Sequence, residues 1–122
     1  MRKITREIST AFLDGKILYK DNTSTDNGEI RLFGNLIAYW NTDSSVVITL
    51  AGHNTKTTRE RLNGLLELMQ SDRRIGSYKG EPRLKMKKFD WLPDAELIDP
   101  YEEITIEYGF FNPSNYARIV GE

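Results

Sequence analysis

The sequence predicts one α+β domain, in which a mainly antiparallel sheet is packed by two helices at about residues 5–14 and 57–69. Apolar residues recur at helical spacing in these two stretches and alternate as in strands between and after them. The connections between the strand-like runs are too short for the dozen or more residues that a parallel crossover needs. At 122 residues the chain has the size of a single domain.

The first helix is predicted from one apolar face and two end signals. Ile8, Ala11 and Phe12 fall on the same side of a helix. Thr5 is a candidate N-cap, and Gly15 is a natural left-handed terminator.

A meander is predicted between residues 16 and 50. Turn residues separate four strand-like runs at 17–24, 29–33, 36–40 and 46–50. The turns contain Asp26-Asn27-Gly28, Gly34-Asn35 and the polar run 41–45. Consecutive strands joined in this way pair antiparallel.

The second helix carries a stripe at positions i, i+3, i+4 and i+7, formed by Leu62, Leu65, Leu66 and Met69. Thr57 and Glu60 have the spacing of a capping box. Gly64 inside the pattern costs roughly 1 kcal/mol relative to alanine, and we expect it to allow close packing on the strands.

A hairpin and a last strand complete the predicted sheet. The hairpin joins runs 73–78 and 83–89 around a turn at 79–82, with Leu84 and Met86 on one face and Arg83, Lys85 and Lys87 on the other. The last strand covers 103–108, with Ile104 and Ile106 facing one way. We treat residues 1–122 as one domain with an acidic C-terminal extension from about residue 90.

The composition restricts the cellular compartment of the protein and the kinds of site that it can form. The chain has no cysteine, so it has no disulfide framework and no thiolate metal site. It has neither a signal-peptide pattern nor the ~20 apolar residues of a membrane span, which favours a cytoplasmic protein without a membrane partner. The net charge of −1 hides a division, because residues 1–88 balance to +6 and residues 89–122 to −7. This division indicates either a charged partner or mutual neutralisation within the fold.

The most suggestive stretch is the predicted start of the second helix. Free N–H groups and the positive end of the helix dipole favour an anion there. The residues that could complete a phosphate site are His53, Lys56, Thr57, Thr58 and Arg59. Ordinary N-capping explains the threonines equally well.

The predicted hairpin is a candidate interface for single-stranded nucleic acid. Its cations could neutralise phosphates while nearby aromatic residues stack on bases. These cations are Arg73, Arg74, Lys79, Arg83, Lys85 and Lys87. An edge strand that is protected from aggregation by lysines would look the same.

The acidic extension has three interpretations: it folds back onto the basic hairpin, faces a basic partner or, least favoured, binds a metal. Its acids are Asp90, Asp94, Glu96, Asp99, Glu102, Glu103 and Glu107. Catalysis is less favoured than binding, since His53 is the single histidine and no catalytic motif occurs. We therefore predict no catalytic residue, metal or cofactor.

Several blocks of sequence resemble small uncharacterised proteins encoded by tailed bacteriophages. The resemblance covers about residues 4–66 and is carried by Ile4-Thr5-Arg6-Glu7, Leu32-Phe33-Gly34-Asn35-Leu36 and Thr57-Thr58-Arg59-Glu60-Arg61-Leu62-Asn63. Those proteins often have histidine where Phe33 stands and an aromatic residue where His53 stands. The acidic extension looks particular to this chain.

The resemblance implies a viral origin and supplies no activity. Together with the split charge it suggests a phage accessory protein that binds, in the host cytoplasm, a host defence or regulatory protein or a small phosphorylated ligand. The alternatives are a single-stranded nucleic-acid-binding protein and an enzyme acting on a phosphorylated substrate. The sequence does not predict an oligomeric state.

Overall fold

The computed structural model describes residues 1–87 and 95–108, and this part of the chain is an α+β fold with two helices and nine strands. The predicted fold class is therefore confirmed. In chain order the elements are α1 (Lys3–Leu13), β1 (Leu18–Lys20), β2 (Thr23–Asp26), β3 (Glu29–Leu32), β4 (Asn35–Thr42), β5 (Ser45–Ile48), α2 (Lys56–Leu68), β6 (Arg73–Tyr78), β7 (Glu81–Met86), β8 (Glu96–Leu97) and β9 (Ile104–Glu107).

The strands form two antiparallel sheets. Strands β1 to β5 are neighbours in sequence order, as a meander requires, and β9 returns beside β5 with Ile106 opposite Val46. Strands β6, β7 and β8 form a separate three-stranded sheet. The meander and the hairpin that the sequence predicts are both confirmed.

One hydrophobic core joins the helices to both sheets. In β3 the side chains alternate, so Ile30 and Leu32 are buried while Arg31 is exposed. The two helices cover the buried face of the six-stranded sheet, and Ile75 and Leu84 of the three-stranded sheet belong to the same cluster. In the described residues, no helix is long and apolar enough to cross a membrane.

The run predicted as one strand at 17–24 is two strands. Asp21 adopts a left-handed conformation with φ 52°, and the chain reverses at Asp21 and Asn22 so that Lys20 pairs with Thr23. Aspartate tolerates this conformation better than most residues. The alternating pattern continues through the turn, so periodicity does not reveal it.

The predicted hairpin turn at 79–82 is shorter than expected. Lys79 and Gly80 alone form it, with φ 51° and 78°, and Glu81 and Pro82 already pair with β6. The short strand β8, which the sequence analysis did not anticipate, adds to β7, so part of the acidic extension folds back beside the hairpin. Residues 88–94, the rest of the predicted 83–89 strand among them, lie outside the described residues.

Both predicted N-caps are wrong, whereas Gly15 ends α1 in a left-handed conformation with φ 72°, as predicted. Helix α1 starts at Lys3 after Arg2, and Thr5 is buried inside it. The N-cap of α2 is Thr55, whose side chain accepts a hydrogen bond from the Thr58 backbone N–H at 3.2 Å. The hydroxyl of Thr5 and the carboxylate of Glu60 instead bond to each other across the interface between the helices.

The close approach expected at Gly64 occurs against α1, and the strands are not involved. A Cβ atom at Gly64 would overlap Cγ2 of Thr5 and lie 3.2 Å from Cγ of Met1. Glycine is therefore required where the two helices cross.

Candidate functional site

Alternate turns of the meander lie at the same end of the six-stranded sheet. We call this the loop end; it comprises the turn at 21–22, the turn at 33–34 and the loop 49–55. The first two turns are adjacent, since the Phe33 backbone N–H donates to the Asn22 carbonyl at 2.8 Å. Helix α2 begins directly after the loop.

Phe33 occupies an unusual position at the loop end. It and Gly34 form a two-residue hairpin turn with φ 51° and 81°, and Asn27 and Gly28 form the equivalent turn at the opposite end with φ 54° and 75°. Turns with two positive φ values favour Asn, Asp or Gly at the first position. A phenylalanine is strained there, and burial does not compensate for the strain, since Phe33 is 72% exposed.

Two cavities flank Phe33. The first, which we call the Tyr19 cavity, measures about 380 Å³ and lies towards the 21–22 turn. The second, the His53 cavity, measures about 320 Å³ and lies towards the start of α2. The His53 cavity is lined by Leu32, Phe33, Asn35, Ile37, Leu50, His53, Thr55, Thr57 and Thr58.

The Tyr19 cavity carries a second exposed aromatic residue. Tyr19 lies on the edge strand β1, is 65% exposed, and donates its hydroxyl hydrogen bond to Asp26 Oδ2 at 2.5 Å. This hydrogen bond, with smaller contributions from desolvation and from the charge of Asp26, raises the pKa of Tyr19. The hydroxyl therefore stays protonated at neutral pH, and the ring is available for contact.

The predicted anion residues are only partly brought together. His53, Thr57 and Thr58 line the His53 cavity, whereas Lys56 and Arg59 are not among its lining residues. Arg59 Nη1 donates to Asn54 Oδ1 at 2.5 Å, and the Thr58 hydroxyl lies 2.9 Å from that of Thr55. The anion site stays a prediction.

Three of the six predicted nucleic-acid residues share one face of the three-stranded sheet. Lys85 lies opposite Arg74, and Arg83 lies opposite Gly76, on the side away from the core residues Ile75 and Leu84. Tyr78 belongs to this face, and its ring lies 5.9 Å from the Arg83 guanidinium.

The other three cations of the hairpin are placed differently. Arg73 pairs with Met86 on the core side, Lys79 is in the turn, and Lys87 follows β7. Arg83 is engaged by Glu81 at 3.2 Å and by the Ala95 carbonyl at 3.1 Å. The nucleic-acid interface stays a prediction.

Part of the acidic extension borders a third cavity, of about 670 Å³, between the two sheets. Glu96, Glu102, Glu103 and Glu107 line it together with Asp72 and with apolar residues such as Leu84 and Ile104. Asp90 and Asp94 lie outside the described residues. No group of three histidine, aspartate or glutamate residues in the described chain is placed to hold a metal.

A buried arginine, which the sequence analysis did not single out, ties three elements together. The Arg61 guanidinium donates to Thr23 Oγ1 at 2.9 Å, to Thr5 Oγ1 at 3.1 Å, to Glu60 Oε1 at 2.5 Å and to Asn22 Oδ1 at 3.2 Å. Its side chain is only 3% exposed. These bonds connect α1, α2 and the 21–22 turn, so the cluster is structural and fixes one side of the loop end.

Glu60 is the carboxylate of this cluster. Burial on its own would raise the pKa of Glu60, but hydrogen bonds from Thr5, the Arg2 backbone and Arg61, together with the Arg61 charge, outweigh burial and lower it. Glu60 is therefore ionised at neutral pH and compensates the buried guanidinium.

Sequence reasoning also missed Phe33 as a site residue. A Phe-Gly pair stands between two strand patterns where Asn-Gly is the usual choice, and this mismatch is the signal that could have identified it. The network around Arg61 gives no comparable signal, since Thr5, Asn22 and Thr23 are remote from it in sequence.

Comparison with known proteins identifies a family to which the chain is similar. The model of the family described as Kyanoviridae Gp96 protein matches residues 1–110, whereas no curated protein and no solved structure matches the chain. The acidic segment up to residue 110, which looks particular to this chain in the sequence analysis, therefore lies within the length of the family. The chain belongs to the Kyanoviridae Gp96 protein family, a family of small bacteriophage proteins.

Proposed function

We propose that this phage protein is an accessory protein that acts by binding a host protein in the cytoplasm of the infected cell, with the loop end as its binding surface. The observation that carries the proposal is the exposure of Phe33 in a left-handed turn position. Residues held in sparsely populated backbone conformations concentrate at functional sites.

The composition of the loop end suits a protein partner. Exposed aromatic residues are enriched at protein interfaces, because they offer a large contact area at a low cost in conformational entropy. Phe33 and Tyr19 both line the Tyr19 cavity, whose other residues are mostly small and polar. Asp21 is its only fully charged lining residue, so we expect the interaction to depend little on salt.

A capture experiment with matched variants tests the proposal. Affinity-tagged wild-type protein, Phe33→Asn and Leu97→Asn are incubated with lysate of the infected host, and bound proteins are quantified by mass spectrometry. Leu97 is a control because it is also exposed and apolar but lies in the other sheet. We expect one host protein to be retained by the wild type and Leu97→Asn and lost with Phe33→Asn.

The salt dependence of capture distinguishes an apolar binding surface at the loop end from a charged one. Capture should persist between about 0.05 M and about 0.5 M salt, since screening weakens contacts between exposed charges and leaves apolar contacts in place. If every captured protein is retained equally by Phe33→Asn, the loop end is not the binding surface.

A second candidate function is binding of single-stranded nucleic acid, favoured by Arg74, Lys85 and Arg83, which are half-buried beside Tyr78 on one face of the three-stranded sheet. Fluorescence anisotropy with a labelled oligonucleotide tests it. Affinity should fall steeply with salt and drop in Lys85→Glu. Lys3→Glu, at a highly exposed site on α1, is the control for the change in charge. No binding at low salt would exclude this function.

A further inference from the structure

The His53 cavity has an apolar floor and a polar rim. Its floor consists of Leu32, Ile37 and Leu50, each at most 4% exposed. Its rim includes Asn35 and Thr57 beside His53. At about 320 Å³ the cavity lies at the lower end of the range in which proteins hold small ligands. It can therefore hold one compact, largely apolar group.

Thr55, Thr58 and Arg59 at the start of α2 are engaged within the protein. The Thr58 N–H is bonded to Thr55 Oγ1, and the hydroxyls of these two threonines bond to each other. Arg59 is directed to Asn54. A phosphate in the cavity would lose water against the apolar floor without a guanidinium in the lining to replace it. The lining favours an uncharged occupant.

Phe33 gives the cavity an exposed aromatic wall on a fixed backbone. The Phe33 N–H is bonded to Asn22, and the carbonyl of Gly34 accepts a hydrogen bond from Arg31 Nη1 at 3.2 Å. A ring that enters beside Phe33 would gain aromatic contact, and a tyrosine hydroxyl or an indole N–H on it would reach the polar rim.

We infer that the His53 cavity receives one uncharged aromatic side chain of the partner protein, beside the contact made by Phe33. The inference rests on the proposed function and specifies it further: Phe33 projects towards the partner, while the adjacent cavity accepts a residue from it. The partner surface is then expected to display an exposed tyrosine or tryptophan.

Side-chain analogues test this inference without the partner. Two-dimensional ¹H–¹⁵N NMR spectra of the full chain are recorded with millimolar p-cresol, indole or inorganic phosphate. We expect p-cresol and indole to shift the amide signals of Asn35, His53, Thr57 and Thr58, with phosphate leaving them unchanged. Phosphate shifts without p-cresol or indole shifts would overturn the inference in favour of an anion site.

A filled cavity is the matched control. Thr57→Tyr places a ring at the rim and should abolish the p-cresol shifts, whereas Thr10→Tyr, at an exposed site on α1, should leave them unchanged. Asn35→Tyr blocks the same cavity from β4 and replaces Thr57→Tyr if that variant does not fold. Unchanged p-cresol shifts in a folded, blocked variant contradict the inference.

The two proposals fail separately. If neither p-cresol nor indole binds while Phe33→Asn still abolishes capture of the host protein, the cavity inference is wrong and the proposed binding surface stands. Sedimentation of the wild type identifies a different occupant: a dimer that dissociates in Phe33→Asn would assign the loop end to a second copy of this chain and overturn both.

Discussion

Arg61 shows how one residue can decide the stability of the interface between the helices. Its buried charge is compensated by Glu60 and by hydrogen bonds to Thr5 and Thr23. We expect Arg61→Met to lower the free energy of unfolding by about 3 kcal/mol, because removing one member of a buried charged network leaves its partners uncompensated. Urea denaturation at neutral pH measures this change. Arg6→Met, on the exposed side of α1, is the control, and an equal loss in both variants would contradict the structural role of Arg61.

The same cluster predicts a pH dependence. A carboxyl group whose pKa is lower in the folded than in the unfolded protein adds stability above its usual pKa of 4.5, and this contribution is lost as the pH falls through the lower folded value. The difference in unfolding free energy between wild type and Glu60→Gln should therefore shrink as the pH falls from about 6 to about 3. Glu67→Gln, exposed on the same helix, should show no such trend. If the difference in unfolding free energy stays constant with pH, the cluster does not lower the pKa of Glu60.

Single residues were the least predictable level of the structure. Thr5 and Thr57 were expected to cap helices because a hydroxyl at a helix start usually does so. The Thr5 hydroxyl instead forms hydrogen bonds with Glu60 and Arg61, more than fifty residues away in sequence. Such a long-range partner leaves no local pattern, so the sequence predicted the helices without the side chains that join them.

At the scale of elements, two equivalent turns allow a reciprocal test of strain. Asn27 and Phe33 occupy the same position in two-residue turns at opposite ends of the meander. We expect Phe33→Asn to raise the free energy of unfolding by about 1 kcal/mol and Asn27→Phe to lower it by about as much, because bulky residues are disfavoured at positive φ. Thermal melts of both variants measure the effect. A loss of stability in Phe33→Asn would show that Phe33 serves the fold, which would remove the argument for a binding role.

The crossing of α1 and α2 depends on the absence of a side chain at Gly64. Alanine is the better helix former by about 1 kcal/mol, yet its Cβ would overlap Thr5. We expect Gly64→Ala to lower the free energy of unfolding by about 2 kcal/mol, the usual scale of overpacking. Glu67→Ala, on the exposed side of the same helix, controls for helix propensity, and denaturant melts compare the two. A stabilised Gly64→Ala variant would mean that the helices can separate at no cost.

Elements were predictable where the apolar period was long and where turn residues marked its ends. The stripe Leu62, Leu65, Leu66 placed α2 to within a residue at each end. The break between β1 and β2 was missed because Asp21 and Asn22 stand inside an alternating run. Strand β8 was missed because two residues carry no period of their own, and β8 forms only by pairing with β7.

At the scale of the whole molecule, two asparagines hold the three-stranded sheet against α2. Asn63 donates to the Ile75 carbonyl at 2.8 Å and accepts from the Ile75 N–H at 2.7 Å, so its amide behaves like a neighbouring strand. Asn54 donates to Ser77 Oγ and to the Gly80 carbonyl, both at 3.2 Å. These bonds link the hairpin to the start of α2 and thus to the loop end, while Ile75 and Leu84 provide the apolar contact.

Removing the two hydrogen bonds between Asn63 and Ile75 should destabilise the three-stranded sheet and leave the six-stranded sheet unchanged. In Asn63→Ala the N–H and carbonyl of Ile75 lose their partner, which costs about 2 kcal/mol when both groups are buried. Hydrogen–deuterium exchange with mass spectrometry should then show faster exchange in β6 and β7, with β3 to β5 unchanged. Asn63→Asp should loosen the hairpin at least as much, since a carboxylate cannot donate to the Ile75 carbonyl. Uniformly faster exchange across both sheets would instead mean that the hairpin and the meander unfold only together, and that Asn63 stabilises the whole fold.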